Sequence, residues 1–168
     1  VDHGDEVYCQ PCVSPIWDTG LAGHAMMEAG SGPNPIAQKE TQEKMAKAAE
    51  WLRDRQILDV KGDWAINRPD LEPGGWAFQY RNDYYPDVDD TAVVGMLLHR
   101  QNDPANDEAI ERARKWIVGM QSTNGGWGAF DVDNDKELLN HIPFSDHGAL
   151  LDPPTADVTA RCISFLAQ

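Results

Sequence analysis

Residues 112–127 read Arg112-Ala113-Arg114-Lys115-Trp116-Ile117-Val118-Gly119-Met120-Gln121-Ser122-Thr123-Asn124-Gly125-Gly126-Trp127. Residues 47–64 open in the same way, with Lys47-Ala48, then Trp51-Leu52, Gln56 and, after a longer gap, Gly62-Asp63-Trp64. Each stretch sets a basic residue, a small residue, an aromatic, an aliphatic and a glutamine at one spacing. Recurrence at about 65 residues is the mark of a helical-pair repeat. The flanking sequence agrees. Met45, Ala48, Ala49 and Leu52 share one face of a helix expected over Ala37–Gln56, and Ile110, Ala113, Ile117 and Met120 share one over Asp107–Met120. Helices with one apolar stripe have one wet side, so these are expected to lie outermost.

A second kind of helix alternates with them. Asp18–Glu28, Asp89–His99 and Asp157–Ala167 carry few charges beyond their first residues. A helix without a polar face is buried on both sides, so these are expected to lie innermost. All three share a start, with an Asp three residues after a Pro: Pro15 and Asp18, Pro86 and Asp89, Pro154 and Asp157. The Asp is expected to cap the helix, where its charge suits the positive end. Two concentric helical layers result, an all-α fold of the α/α-barrel (toroid) type. The inner Asp residues then point toward one end of a common cavity. Long Gly/Pro/Asp-rich connections, Lys61–Asp87 and Gly125–Pro154, are the places where function is expected.

Composition narrows the function classes. The chain has 168 residues, 28 Asp+Glu against 14 Lys+Arg, and a net charge of −14. Such a charge opposes phosphate neutralisation and excludes nucleic acid as a partner. No apolar run approaches the roughly 18 residues needed to span a bilayer. Val1 at the start and the apolar run Ile163–Gln168 at the end lead to the expectation of an internal piece of a longer chain, one domain over 1–168. Cys9-Gln10-Pro11-Cys12 has redox or half-zinc spacing, but no second ligand pair follows, and with Cys162 it reads as free thiols. His3, His24, His99, His141 and His147 show no ligand spacing, and Ser14 sits in no nucleophile motif.

Asp87-Val88-Asp89-Asp90-Thr91 is the sharpest chemical feature. Three carboxyls within four residues cannot all ionise cheaply in a dry site, so at least one pKa is expected to rise. A carboxyl kept protonated there is suited to general-acid work. Capping, a solvated acidic loop and a magnesium site are the alternatives. Nearby basic residues for a metal–pyrophosphate site are confined to Arg81 and Arg100. Asp131–Lys136 fails as a calcium loop, with Lys136 where glycine is needed. Trp51, Trp64, Trp116 and Trp127 are expected to be packing residues. Trp17, Phe78 and Phe130 lie at the cavity end of their elements, where aromatic faces attract cations. An acid among π faces suits a reaction that creates and moves a carbocation.

These residues resemble the squalene–hopene cyclases. Asp87-Val88-Asp89-Asp90-Thr91-Ala92 is similar to their DxDD signature, and Arg112–Trp127 to their QW repeat. Trp17-Asp18-Thr19, Gly74-Gly75-Trp76-Ala77-Phe78, Gly126–Asp131 and Asp152-Pro153-Pro154 also look like family segments. The resemblance implies an isomerase-class enzyme that protonates a terminal alkene of squalene and closes rings to hopene or hopanol. It implies Asp89 as proton donor, Asp87 and Asp90 as flanking carboxylates, Trp17, Phe78 and Phe130 as cavity aromatics, and Asp18 and Asp157 as supporting acids. It implies no metal or organic cofactor, squalene as partner, and monotopic attachment at the cytoplasmic face of a bacterial membrane. A homodimer is compatible with it. Arg161 stands where the best-known pattern has a His that hydrogen-bonds the acidic Asp, and Phe130 where a Tyr is common. Arg161 keeps the ability to hold the conjugate base but cannot relay a proton. Oxidosqualene cyclases, class II diterpene cyclases and a non-catalytic α/α scaffold are the competing readings.

Overall fold

The computed structural model describes residues 13–30, 35–141 and 150–168. Cys9, Cys12, His3 and His147 lie outside them. Among the described residues five α-helices follow one another: α1 (Pro15–Gly30), α2 (Pro35–Arg53), α3 (Val88–Arg100), α4 (Asp107–Gly119) and α5 (Ala156–Leu166). A two-stranded ribbon, β1 (Trp76–Ala77) and β2 (Pro86–Asp87), precedes α3, with Trp76 opposite Asp87 and Ala77 opposite Pro86. The chain is thus mostly helical, as the repeat predicts. The ribbon was not expected.

α3 is the centre of the fold, packed against α1, α4, α5 and β1. Val88, Ala92, Val93, Val94, Leu97 and Leu98 cover its circumference and are all buried. The expectation of burial on both sides therefore holds for α3. It fails for α1 and α5, where Leu21 and Ile163 are exposed. Those two helices flank α3, and each has a face with no described neighbour. The amphipathic reading of α2 and α4 holds. Met45, Ala49 and Leu52 on one, and Ala109, Ala113, Trp116 and Ile117 on the other, are buried while their charged residues face out.

The caps also differ from expectation. Ser14 caps α1, its Oγ accepting from Trp17 N at 2.9 Å. Asp87 caps α3, accepting from Asp89 N at 2.7 Å and Asp90 N at 3.3 Å. Thr155 holds the cap position of α5. Asp18, Asp89 and Asp157 therefore sit inside their helices' first turns, two to four positions past the cap. Pro and Asp are both favoured near a helix start, which is why sequence misplaces the cap. The consequence matters for chemistry: Asp89 is free of capping duty.

The repeat is visible as paired hydrogen bonds. Trp127 Nε1 donates to Ile117 O at 2.7 Å, and its backbone N donates to Thr159 Oγ1 at 3.1 Å. Trp76 does the same with Leu52 O at 2.7 Å and Thr91 Oγ1 at 2.9 Å. Gln121 Nε2 donates to Gly125 O and Gln56 Nε2 to Gly74 O, both at 2.8 Å. Each outer helix is thereby clamped to the inner helix that follows. The indole equivalent to Trp127 is Trp76, so the first repeat closes on Gly74-Gly75-Trp76 and not on Gly62-Asp63-Trp64. Trp64 instead packs edge-on against Trp116, ring centroids 5.9 Å apart. The clamp needs glycine: a Cβ on Gly75 would lie 2.8 Å from Thr91 Oγ1 and 2.9 Å from the Trp116 ring. Trp64, Trp116 and Trp127 are core residues, as expected, and half-buried Trp51 is covered by the Arg55 guanidinium, 3.9 Å from its ring centre.

Gln56 is the hinge pin of this arrangement. Besides Gly74 O, its amide donates to Ala109 O at 2.9 Å, and its Oε1 accepts from Arg112 Nε at 3.0 Å. Gln56→Ala leaves two buried carbonyls and one guanidinium N–H without that partner. The expected loss is about 1–2 kcal/mol of stability, read by chemical denaturation of the full-length protein.

Candidate functional site

The acid motif forms where ribbon and helix meet. β2 pairs with β1, which buries Asp87 against Trp76, and the chain turns directly into α3. Thr91 Oγ1 donates to Asp87 O at 2.6 Å, tightening that turn. Asp87 faces inward as the cap, Asp90 points into the core and Asp89 points outward. One short sequence thus supplies three carboxyls in three different environments.

Asp90 is the most buried of them, 1% exposed, and its Oδ1 has no hydrogen-bond partner among the described residues. Burial pushes its carboxyl up to about 8, and the charges of Asp87, Asp89 and Asp18 act in the same direction. Burial also raises Asp87 to about 6, against the two amides it caps, with Asp89 and Asp152 adding to the rise. The expected elevation therefore falls on Asp90 and Asp87. At neutral pH Asp90 is a neutral carboxylic acid, the form in which an unpartnered buried oxygen costs least.

Asp89 has a different partner. Arg161 of α5 grips it with a two-pronged fork: Nε donates to Oδ1, and Nη2 donates to Oδ2 at 2.8 Å. Such bidentate pairs fix orientation as well as charge. Arg161 also reaches Asp157 Oδ2 at 3.4 Å, and its Cζ lies 5.7 Å from the centre of the Trp17 ring. The Asp89 carboxylate raises the Arg161 pKa further. Asp157, exposed on the first turn of α5, is held low, chiefly by the Thr155 hydroxyl.

Three helices therefore bring Trp17, Asp87, Asp89, Asp90, Asp157 and Arg161 to one end of the fold. Asp18 is exposed on α1 and acts on Asp90 through its charge. Phe78 is half-buried beyond β1, and its carbonyl accepts from Ser14 Oγ at 2.5 Å. Phe130 is 40% exposed and lines a separate hollow with Trp64, Tyr84, Tyr85, Leu150 and Leu151. Asp18 and Asp157 are exposed at this end of the fold, while Asp87 and Asp90 are buried. Among the described residues no cluster of His, Cys, Asp and Glu could hold a metal ion, so the magnesium alternative has no ligand set there. Cys162 is buried and its thiol is pushed up to about 12, which suits a packing role.

Sequence reasoning gave no role to Ser14, Thr91 or Asp152. Each acts on backbone atoms, and a backbone partner leaves no residue-type signal. Pro15, directly after Ser14, was the available hint, since proline is favoured at the first helical position.

Known proteins carry the same segment. The sequence model of the squalene-hopene cyclase C-terminal domain matches residues 13–168. A squalene-hopene cyclase of the yeast Schizosaccharomyces japonicus is 71% identical over 163 residues, 97% of this chain and 25% of that protein. The Zymomonas mobilis squalene–hopene cyclase is 61% identical over 99% of this chain, and the Alicyclobacillus acidocaldarius enzyme 51% over 97%. The chain spans about a quarter of the length of these curated relatives. They come from a fungus as well as from bacteria, so a bacterial source does not follow from the likeness. No described helix is long and apolar enough to cross a membrane. From its residues, its clamped helical repeats and this match over nearly its whole length, the chain belongs to the squalene–hopene cyclase family.

Proposed function

We propose that the full-length protein cyclises squalene to hopene or hopanol, and that this segment supplies the acid that starts the reaction. The observation that carries the reading is the Asp89–Arg161 fork beside the neutral, buried Asp90. Alkenes are weak bases, so their protonation needs a strong acid in a site free of water. Arg161 stands ready to hold the carboxylate left on Asp89 after transfer. The fork engages both Asp89 oxygens, which corresponds to the state after proton delivery. In the forward step the O–H bond of Asp89 breaks, a C–H bond forms at the alkene terminus, and the new tertiary cation is taken up by successive C–C closures. Loss of a proton gives hopene, and capture of water gives hopanol.

The neighbours have definite parts in this reading. Neutral Asp90 and partly protonated Asp87 limit the negative charge beside Asp89. Trp17, Phe78 and Phe130 offer π faces to the moving cation. Asp18 and Asp157 support the charge balance around the pair. No cofactor is called for. The repeats complete an α/α toroid in the longer chain. The protein works on one leaflet as a monotopic enzyme at the cytoplasmic face, because squalene resides in lipid, and dimerisation is compatible with this.

The test is incubation of membranes containing the full-length protein with squalene, followed by gas chromatography and mass spectrometry of the neutral lipids. Pentacyclic hopene or hopanol is expected. Turnover of oxidosqualene or a shorter prenyl chain in place of squalene would move the substrate, and no turnover of any of them would favour a scaffold.

A further inference from the structure

A carboxylate outside the acid motif governs the seating of two of its parts. Asp152 Oδ1 accepts from Ala129 N at 2.9 Å, and its Oδ2 accepts from Phe130 N at 2.6 Å and Asp131 N at 2.7 Å. Three consecutive amides thus converge on one charged side chain, the strong kind of hydrogen bond. Asp152 is itself anchored, its N donating to Asn134 O at 3.0 Å. Its seat is made to measure: a Cβ on Gly128 would lie 2.5 Å from Asp152 O and 2.8 Å from Oδ2.

The grip extends into α3. The Ala129 carbonyl accepts from Val88 N at 2.8 Å. Val88 is the first residue of α3 and lies between Asp87 and Asp89. Two hydrogen bonds through one residue, Ala129, therefore connect Asp152 to the turn that aims Asp89. The neighbouring residue on the same grip is Phe130. Both positions precede Asp152, residues 129–131 by more than 20 residues and Val88 by more than 60.

We propose that Asp152 is a positioning residue of the site: it fixes the Phe130 backbone and the first turn of α3, and so aims Asp89 at the substrate. The inference rests on the cyclase reading above. Asp152 acts through backbone atoms and need not touch the substrate. Its charge also acts on Asp87, which ties the same carboxylate to the site electrostatically.

The experiment uses the full-length protein with Asp152→Asn. Asparagine has the same size but offers one acceptor oxygen, and its NH2 confronts an N–H donor. The expected result with squalene is a kcat lower by about 10–100-fold with KM changed less than about threefold, since a misaim of an ångström has that effect on chemistry. Incompletely cyclised products should appear as Phe130 loosens. In hydrogen exchange, the amides of Val88 and residues 129–131 should exchange faster. Should Asp152→Asn fail to fold, Asp152→Glu retains the charge but shifts the loop with its longer arm, and the same kcat loss at constant KM is expected. An unchanged kcat and product pattern per folded enzyme overturns the proposal. If the unsubstituted protein makes no cyclic product, the cyclase reading is what fails. Exchange then decides: an unaltered rate at Val88 overturns Asp152's control of α3, and a faster one supports it.

Discussion

Asp89→Asn in the full-length protein is expected to lower squalene turnover by about three to four orders of magnitude, the upper range for a positioned general acid. Asparagine preserves the shape of the side chain and one acceptor for the Arg161 fork. It has no proton acidic enough to give to an alkene. The fold should survive, because Asp89 does not cap α3 and Arg161 retains Asp157 within 3.4 Å. Far-ultraviolet circular dichroism should match the unsubstituted protein while product formation is lost. Residual turnover above about a tenth of the original rate would remove Asp89 from the donor role.

The second large effect concerns stability. Asp90 titrates at about 8 in the folded chain and near 3.8 in an ordinary environment. Between those values the folded state holds a proton that the unfolded state has released. Stability must then fall as pH rises through this window, opposite to the trend for a salt-bridged carboxylate. From pH 6 to pH 8 the loss attributable to Asp90 is about 2–3 kcal/mol, one unit of pKa being about 1.4 kcal/mol. The window lies above the value of about 6 for Asp87, so the two groups are separable. Asp90→Asn has the shape of the neutral acid and carries no charge to desolvate. It should be more stable than the unsubstituted protein at pH 8 and should lack most of the dependence. Denaturation midpoints at pH 6, 7 and 8 for both proteins measure this, and parallel curves would contradict the buried neutral acid.

Both predictions come from one device. The Asp87-Val88-Asp89-Asp90 run passes from strand to helix in four residues, so successive side chains enter different surroundings. Asp87 is spent on capping, Asp90 is buried neutral, and Asp89 alone is presented to Arg161. A run of acids on a plain helix or loop would be solvated and electrostatically alike.

The helical pairs were legible because the Trp–aliphatic–Gln spacing recurs and because apolar residues recur at helical intervals in α2 and α4. The same periodicity overstated the burial of α1 and α5, since a helix's composition does not say how many neighbours it has. Sequence spacing closes the first repeat on Trp64, because Gly62 stands two residues before it as Gly125 does before Trp127; Gly74 stands in the same way before Trp76. The bonds from the Trp76 indole to Leu52 O and from its backbone N to Thr91 Oγ1 mark Trp76 as the equivalent of Trp127. The Arg161–Asp89 contact could be anticipated only through the family resemblance, since 72 residues part the two positions. The β1–β2 ribbon and the Asp152 grip were illegible for a common reason. Their partners are backbone atoms, which every residue possesses and no residue type announces.

The most direct test of the account is to run the full-length enzyme on squalene in deuterium oxide and weigh the hopene formed. Protonation by an exchangeable carboxyl, followed by loss of a carbon-bound hydrogen, predicts hopene heavier by one mass unit, with a single deuterium in the first ring formed, and a yield about three to four orders of magnitude lower after Asp89→Asn. Hopene of unaltered mass, or labelled hopene formed at an undiminished rate by the Asp89→Asn protein, would contradict it.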